Sequence, residues 1–135
     1  MRSLFFILIA VFCGFSFVSC EEEDTDYSYF IKTDYPEVNS VSFHDIVIFE
    51  RDKYGDKIRR RDIKEMDNSD LSQEFITEDN TTEIDIYYKI TRFGQTSYGI
   101  GGETTTTWDK KKDNIVYLGS SGHLTEQEYN EYINQ

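Results

Sequence analysis

Two histidines, His44 and His123, are the side chains of this sequence best suited to move protons near neutral pH. His44 precedes Asp45 inside an apolar stretch, where a histidine is usually half-exposed and structural. His123 is predicted to lie in a Gly/Ser loop with Ser120 and Ser121 nearby, whose hydroxyls a histidine base could activate. No nucleophile-elbow pattern surrounds any serine, however, and most proteins contain these residue types. We therefore assign no catalytic residue and expect a protein that is not an enzyme.

Metal-binding patterns are equally weak in the sequence. Zinc sites need grouped His and Cys residues, and none are grouped here. Calcium prefers loops dense in Asp and Asn, which only residues 67–70 and 109–114 approximate. Lysines at 110–112 place repulsive charge in the second loop, and ordinary turn chemistry accounts for both loops. We predict neither a metal nor a cofactor.

Two short runs could form a binding surface. In a strand over residues 104–108, Thr104, Thr106 and Trp108 would share a flat face suited to sugars. The simpler interpretation, which we favour, is that threonine is a good strand former and that the tryptophan packs under a neighbouring loop. Arg59 and Arg61 belong to a lone basic island in an acidic chain. That island is by default a solvated edge, and a contact for an anionic partner is the alternative.

The chain is strongly acidic and rich in aromatic residues. Its 135 residues include 26 Asp and Glu against 14 Lys and Arg, which gives a formal net charge of -12. Such a charge repels nucleic-acid backbones and anionic lipid headgroups, so both become less favoured partners, and we expect no nucleic-acid partner. Ten Tyr and ten Phe raise the aromatic fraction to 16%, and these residues favour strands. The composition indicates one small β-rich domain.

The first 19 residues have the pattern of a secretory signal peptide. Arg2 supplies a positive charge, and residues 4–18 are apolar apart from Ser16. This run is shorter than the roughly 20 residues of a membrane-spanning helix. Cleavage would remove Cys13 and make Cys20 the first residue, so the mature domain would hold no disulfide. The alternative interpretation is an uncleaved anchor helix.

Phe17-Val18-Ser19-Cys20 resembles the lipobox of bacterial lipoproteins. In that family the cysteine sulfur receives a diacylglycerol, the signal is cut before the cysteine, and the new amine usually takes a fatty acid such as palmitate. Phe17 stands where the family usually has Leu. The resemblance implies lipidation of Cys20 and stable anchoring, because each buried methylene contributes about 0.8 kcal/mol. The alternative is an ordinary signal peptide whose cysteine is incidental.

An acidic cluster of Glu21, Glu22, Glu23 and Asp24 follows the cysteine at once. It resembles the acidic export signal of surface lipoproteins in Bacteroidota, which implies display on the outer membrane, facing the cell exterior. The same residues also fit a solvated tether that like charges keep extended. In other Gram-negative lineages an acidic residue after the cysteine can instead signal retention in the inner membrane.

From residue 27 onward, short β-type runs alternate with turns. The strands that we predict cover residues 27–32, 41–49, 57–65, 71–77, 83–91, 96–108 and 115–118. The run 83–91 is the clearest, because Ile84, Ile86, Tyr88 and Ile90 alternate with residues of the other face. We also expect a bulge near His44, and a hairpin whose second arm, 57–65, is a charged edge strand.

These runs predict an all-β fold, an antiparallel β-sandwich of about seven strands that is immunoglobulin-like or transthyretin-like. The sandwich domain would span residues 27–122, after a signal peptide over 1–19 and an acylated, acidic tether over 20–26. Residues 123–135 would form either a short helix or a frayed tail. For the helix, Thr125 and Glu128 fit a capping box, and Leu124 and Tyr129 fit a hydrophobic staple.

The anchor pattern and the β-rich domain together predict a non-enzymatic, lipid-anchored cell-envelope protein. We expect it to contact the membrane through its N-terminal lipid and to bind a protein or a glycan, or to serve as an accessory subunit. Two alternatives remain open. One is a small envelope hydrolase that uses carboxylates or His123, and the other is an inhibitor or immunity-type protein that blocks a toxin or protease.

Overall fold

The computed structural model describes residues 26–34, 41–108, 113–119 and 122–135. In these residues the chain forms eight strands and one α-helix, which confirms the predicted all-β sandwich with a short C-terminal helix. The lipobox-like motif and the acidic cluster lie outside the described residues, as does the loop at 109–112. The elements are β1 (Ser28–Thr33), β2 (Val41–Arg51), β3 (Lys57–Asp67), β4 (Phe75–Ile76), β5 (Glu83–Arg92), β6 (Gln95–Thr104), a 3₁₀ turn (Thr105–Thr107), β7 (Asn114–Leu118), β8 (Gly122–Leu124) and α1 (Glu126–Ile133).

The larger sheet has five antiparallel strands in the order β3-β2-β5-β6-β8. The turn between β2 and β3 is set by Asp52, whose Oδ1 accepts hydrogen bonds from the backbone N–H groups of Tyr54 and Asp56. Gly55 supplies the positive φ of 83° that this turn needs. β3 lies at the edge of the sheet and is mostly exposed, so the predicted charged edge strand is confirmed.

The smaller sheet has three strands in the order β4-β1-β7. β1 pairs antiparallel with β4 but parallel with β7, a pairing that the antiparallel prediction did not include. Parallel strands need a long crossover connection. Here β2, β3, β5 and β6 of the larger sheet lie between β1 and β7 in sequence. This long connection lets β7 enter the smaller sheet parallel to β1.

A β-bulge in β2 decides which side chains face the space between the sheets. The register against β5 shifts between His44 and Val47, and Asp45 has a φ of 48°. Because a bulge adds one residue, the inward-facing positions change from odd to even numbers across it. The bulge predicted near His44 is confirmed.

Two hydrophobic clusters stabilise the fold, one on each face of the larger sheet. The inner cluster joins both sheets and includes Tyr29, Ile31, Phe43, Ile46, Ile48, Ile84, Ile86, Tyr88, Val116 and Leu118. The outer cluster is made of Val47, Phe49, Tyr87 and Tyr129, with Tyr132 and Ile133 packed against it. β5 therefore contributes buried side chains to both faces, whereas the sequence pattern predicted one buried face.

Helix α1 covers the outer face of the larger sheet. Its predicted capping box is present, because Thr125 Oγ1 accepts the N–H of Glu128 at 3.1 Å and Glu128 Oε1 accepts the N–H of Thr125 at 2.9 Å. Tyr132 stacks on Tyr87 with ring centroids 4.8 Å apart, and the hydroxyl of Tyr129 donates to a backbone carbonyl of β2 at 2.6 Å. The segment is thus a docked helix and not a frayed tail.

Three sequence predictions about local structure are wrong. The strand predicted to continue through 104–108 ends at Thr104, and Thr105–Thr107 form the 3₁₀ turn. His123, predicted in a loop, lies in β8 opposite Gly99. The strand predicted over 71–77 is reduced to β4 and one isolated bridge at Leu71.

Candidate functional site

A fully buried carboxylate lies between the two sheets, at Glu50 of β2. Its Oε2 accepts hydrogen bonds from the Tyr29 hydroxyl and from Arg61 Nε, both at 2.7 Å. Its Oε1 accepts the backbone N–H of Glu78 at 2.9 Å. A charge is stable in such a place only when its remaining lone pairs are satisfied, and these three donors do so.

Burial, followed by the neighbouring Glu50 charge and the hydrogen bond to it, raises the pKa of Tyr29 far above its ordinary value. Tyr29 therefore stays protonated and acts as a hydrogen-bond donor to Glu50. The sequence analysis did not single out Glu50. The available signal was its spacing, because Glu50 continues the inward series of Ile46 and Ile48 on the same strand.

The predicted basic surface is engaged in internal contacts. Arg61 is mostly buried beside Glu50, and its guanidinium also lies 5.1 Å from the ring centroid of Phe75. Arg59 pairs with Glu78 in the loop after β4. These arginines connect β3 to its own neighbours, so they are poorly placed to hold an anionic ligand.

A cleft of about 500 Å³ opens at the end of the sandwich where β1 begins. Four segments far apart in sequence form it: the residue before β1, the β2–β3 turn, the loop before β5, and the 3₁₀ turn. Its lining consists of Tyr27, Asp52, Lys53, Tyr54, Asn80, Thr81, Thr82, Thr105 and Thr106. We call this feature the threonine cleft.

The floor of the threonine cleft is fixed by hydrogen bonds. The N–H of Thr105 donates to the carbonyl of Thr82, and its hydroxyl donates to the carbonyl of Thr81, both at 3.0 Å. The N–H of Thr82 donates in turn to the carbonyl of Arg51 at 2.8 Å. These contacts explain why the strand ends at Thr104 although threonine favours strands, because Thr105 satisfies its polar groups by turning inward.

The wall of the cleft is exposed at the β2–β3 turn. Tyr54 at the tip of the β2–β3 turn is 76% exposed, and Lys53 Nζ lies 5.2 Å from its ring centroid. Of the residues predicted as a binding surface, Thr106 lines the cleft and Thr104 lies beside it, with hydroxyls 3.1 Å apart. Trp108 packs instead against the inner cluster, with its ring centroid 5.4 Å from that of Tyr29.

The two histidines lie apart. His44 is on β2 and His123 on β8, three inter-strand spacings or ~14 Å away in the same sheet. His44 Nε2 lies 2.7 Å from Thr91 Oγ1, whereas its Nδ1 is 3.9 Å from Asp45 Oδ2, beyond hydrogen-bond distance.

The acidic loop at 67–70 is a turn in the structure. Asp70 Oδ2 accepts the N–H of Asp67 at 2.9 Å, and Ser69 has a φ of 69°. Within the described residues, no group of three or more His, Cys, Asp or Glu side chains could hold a metal ion.

Comparison with protein-family models, with curated proteins and with solved structures finds no match for this chain. Across the described part of the chain, no helix has the length and apolar character needed to cross a bilayer.

Proposed function

We propose that this chain is a non-enzymatic, lipid-anchored binding module of the cell envelope, displayed on the outer membrane, and that the threonine cleft is its ligand site. The observation that carries the proposal is the lining of that cleft. Two tyrosines, four threonines, an asparagine and one opposite pair of charges surround it. The lipobox resemblance at Cys20 supports the anchor.

This lining suits an uncharged carbohydrate. A pyranose ring has an apolar C–H face and a rim of hydroxyls, so it needs both an aromatic surface and several hydrogen-bonding groups. The exposed ring of Tyr54 offers the first, and polar side chains of the lining, such as the hydroxyl of Thr106, offer the second. Asp52 and Lys53 cancel in charge, which gives an anionic or cationic ligand no advantage.

The cleft also lies at the tethered end of the domain. Tyr27 lines it and is seven residues after Cys20, a distance that a fully extended chain spans in ~25 Å at most. A ligand in the cleft would therefore be held close to the membrane surface, where the sugars of envelope glycans are found.

A glycan array probed with the lipidated chain in detergent micelles tests the proposal. We expect binding to one class of neutral glycan, and a loss of at least tenfold in affinity for Tyr54→Ala, because the stacking surface is removed. Phe93→Ala is the matched control, since Phe93 is similarly exposed but lies in the β5–β6 turn at the other end of β5. Equal binding by both variants would contradict the proposal. Co-purification of the chain with a stoichiometric envelope enzyme, without glycan binding, would also contradict it and would favour an inhibitor.

One observation favours the small hydrolase as a second candidate. The 2.7 Å contact between His44 Nε2 and Thr91 Oγ1 is the distance at which an imidazole can accept a hydroxyl proton. Ester and glycoside hydrolysis should be compared in wild type, His44→Ala and His123→Ala. Activity lost only in His44→Ala would support this candidate, and activity that survives both substitutions would exclude the histidines.

A further inference from the structure

The outward face of the three-stranded sheet is apolar. The registers place Ile76 opposite Ser28, Ile115 opposite Phe30, and both Tyr117 and Leu71 opposite Lys32. Directly paired residues point to the same side of a sheet. The alternation of β1 shows that this is the outer side, because Tyr29, Ile31 and Thr33 are the buried residues of that strand. We call Phe30, Leu71, Ile76, Ile115 and Tyr117 the outer apolar face.

These side chains are unusually accessible for their type. Leu71, Ile76 and Tyr117 are 53%, 51% and 48% exposed, and Ile115 is 38% exposed. β7 thus carries apolar residues on both faces, since Val116 and Leu118, which alternate with Ile115 and Tyr117, are buried in the inner cluster. A strand that is apolar on both faces is normally covered on both. The larger sheet has α1 over its outer face, whereas no described helix or strand covers the outer face of the smaller sheet.

We infer that the outer apolar face rests on the surface of the lipid bilayer in which the chain is anchored. This inference depends on the lipid anchor of the proposed function. Its first support is the tether, because the outer apolar face is centred on β1, the strand that the tether enters. Ser28 is eight residues after Cys20, so the face lies within ~28 Å of the acylated residue along the extended chain.

The size of the face fits a lipid surface better than a protein partner. A stable protein interface covers about 800 Å² on each side, which is the area of 20 or more residues. Five apolar side chains are too few for that, but a tether raises the local concentration to roughly millimolar, so a weak contact suffices. The bilayer is the surface that the anchor already holds beside β1.

The charge of the face points to the same occupant. Cleavage of the signal peptide removes Arg2 and changes the net charge from -12 to -13, so most of the surface is repelled by anionic headgroups. Among the register positions of the outer apolar face, the one charged residue is Lys32. An apolar patch with aromatic rings and a lysine whose amine can reach the headgroups is the composition found at membrane interfaces.

Spin labelling of the full lipidated chain in phosphatidylethanolamine–phosphatidylglycerol vesicles tests the inference. Cys13 is removed with the signal peptide and the sulfur of Cys20 is acylated, so Ile115→Cys introduces one reactive thiol. We expect a nitroxide there to collide several-fold more with oxygen, and less with a water-soluble nickel complex, than a label at Lys64→Cys. Lys64 is the control because it is exposed on β3, away from the outer apolar face.

Leu71→Cys supplies a second label if Ile115→Cys folds poorly. Equal accessibility of face and control labels on vesicle-bound protein would overturn the inference while leaving the anchor intact. Dipolar broadening that disappears on dilution with unlabelled chain would overturn it by assigning the face to a second copy. Failure of the chain to float with the vesicles would overturn the anchor, and this placement with it.

Discussion

Glu50 carries its carboxylate into the interior between the sheets, where each of its contacts joins a different element. Tyr29 belongs to β1, Arg61 to β3, and the Glu78 N–H to the loop before β5. A buried ion pair of this kind contributes little net stability compared with apolar residues of the same volume, because both charges lose hydration. Its effect is geometric, since it fixes the smaller sheet relative to the edge of the larger one.

Removing only the carboxylate should be costly. Glu50→Ala leaves Arg61 without its partner and orphans the Tyr29 hydroxyl, so we expect a loss of about 3–5 kcal/mol in the free energy of unfolding. Glu65→Ala on the exposed side of β3 is the control and should change it by less than about 0.5 kcal/mol. Urea unfolding measures both. The double variant Glu50→Leu/Arg61→Met should recover most of the loss, and if it does not, the pairing argument is wrong.

Buried tyrosines make the fold sensitive to alkali. Burial, with a smaller contribution from the Asp45 charge, raises the pKa of Tyr129 to about 12, and burial also raises the pKa of Tyr87. The folded chain therefore holds these protons more tightly than the unfolded chain, whose tyrosines titrate near their ordinary value of about 10. The contribution of these tyrosines to the free energy of unfolding is therefore fully present below about pH 10. It is lost as the pH rises toward 12 and beyond.

We expect Tyr129→Phe to flatten this dependence. The variant lacks the hydrogen bond to the Asp45 carbonyl at every pH, but it has no proton to lose. Urea unfolding at about pH 9 and about pH 11.5 should show a smaller difference for Tyr129→Phe than for wild type. Tyr54→Phe, which removes an exposed hydroxyl, should behave as wild type. If the difference between the two pH values is as large in Tyr129→Phe as in wild type, the loss of stability at high pH does not arise from Tyr129.

At the scale of elements, helix α1 depends on its ends and on one face. It has eight residues, too few to be stable alone, and it is stabilised by its capping box and by the stacking of Tyr132 on Tyr87. Arg60 also donates to the carbonyl of Ile133 at 2.7 Å, where a cation offsets the partial negative charge of the helix end.

Thr125→Ala should therefore loosen the helix. We expect a loss of about 1 kcal/mol in the free energy of unfolding and faster hydrogen exchange of the amides in α1. Gln127→Ala is the control, because Gln127 lies in the same helical turn, is exposed and does not cap it. If the two variants exchange at equal rates, the cap contributes nothing measurable to docking.

The elements that sequence could predict are those whose information is local. The strand over 83–91 and the hairpin whose second arm is 57–65 each depend on neighbouring residues, and both are confirmed. The parallel pairing of β1 with β7 and the inward turn of Thr105 depend on partners far away in the chain. The threonine cleft escaped sequence analysis for the same reason, since four separate segments form it and only Thr106 had been singled out.

For the whole molecule, both proposed contacts lie near the start of β1, the end of the domain that the proposed tether would enter. The threonine cleft contains the residue just before β1, and the outer apolar face is centred on β1 itself. A lipid at Cys20 would bring both features to the membrane surface within the length of a short tether. The large negative charge would meanwhile keep the rest of the domain away from anionic headgroups.

The anchor is tested at Cys20. If Cys20 is lipidated as proposed, Cys20→Ala should abolish palmitate labelling and release the chain from membranes, because the variant lacks the sulfur that receives the lipid. Cys13→Ala is the control and should leave both unchanged, since Cys13 lies in the segment that the proposed cleavage would remove. Palmitate labelling that persists in Cys20→Ala would contradict the lipidation proposal.

Substitutions in the acidic cluster at residues 21–24 can distinguish an export signal from a simple spacer. If it directs display, replacing these four residues by alanine should protect the chain from protease added to intact cells, while palmitate labelling continues. Replacing only Glu21, Glu22 and Glu23 by Asp keeps the charge and should keep protease access, so it serves as the control. A spacer predicts a different result: the alanine variant stays accessible, because an uncharged tether of equal length still reaches the surface. Protease access that depends on charge would therefore support surface display, and access that ignores charge would reduce the cluster to a tether.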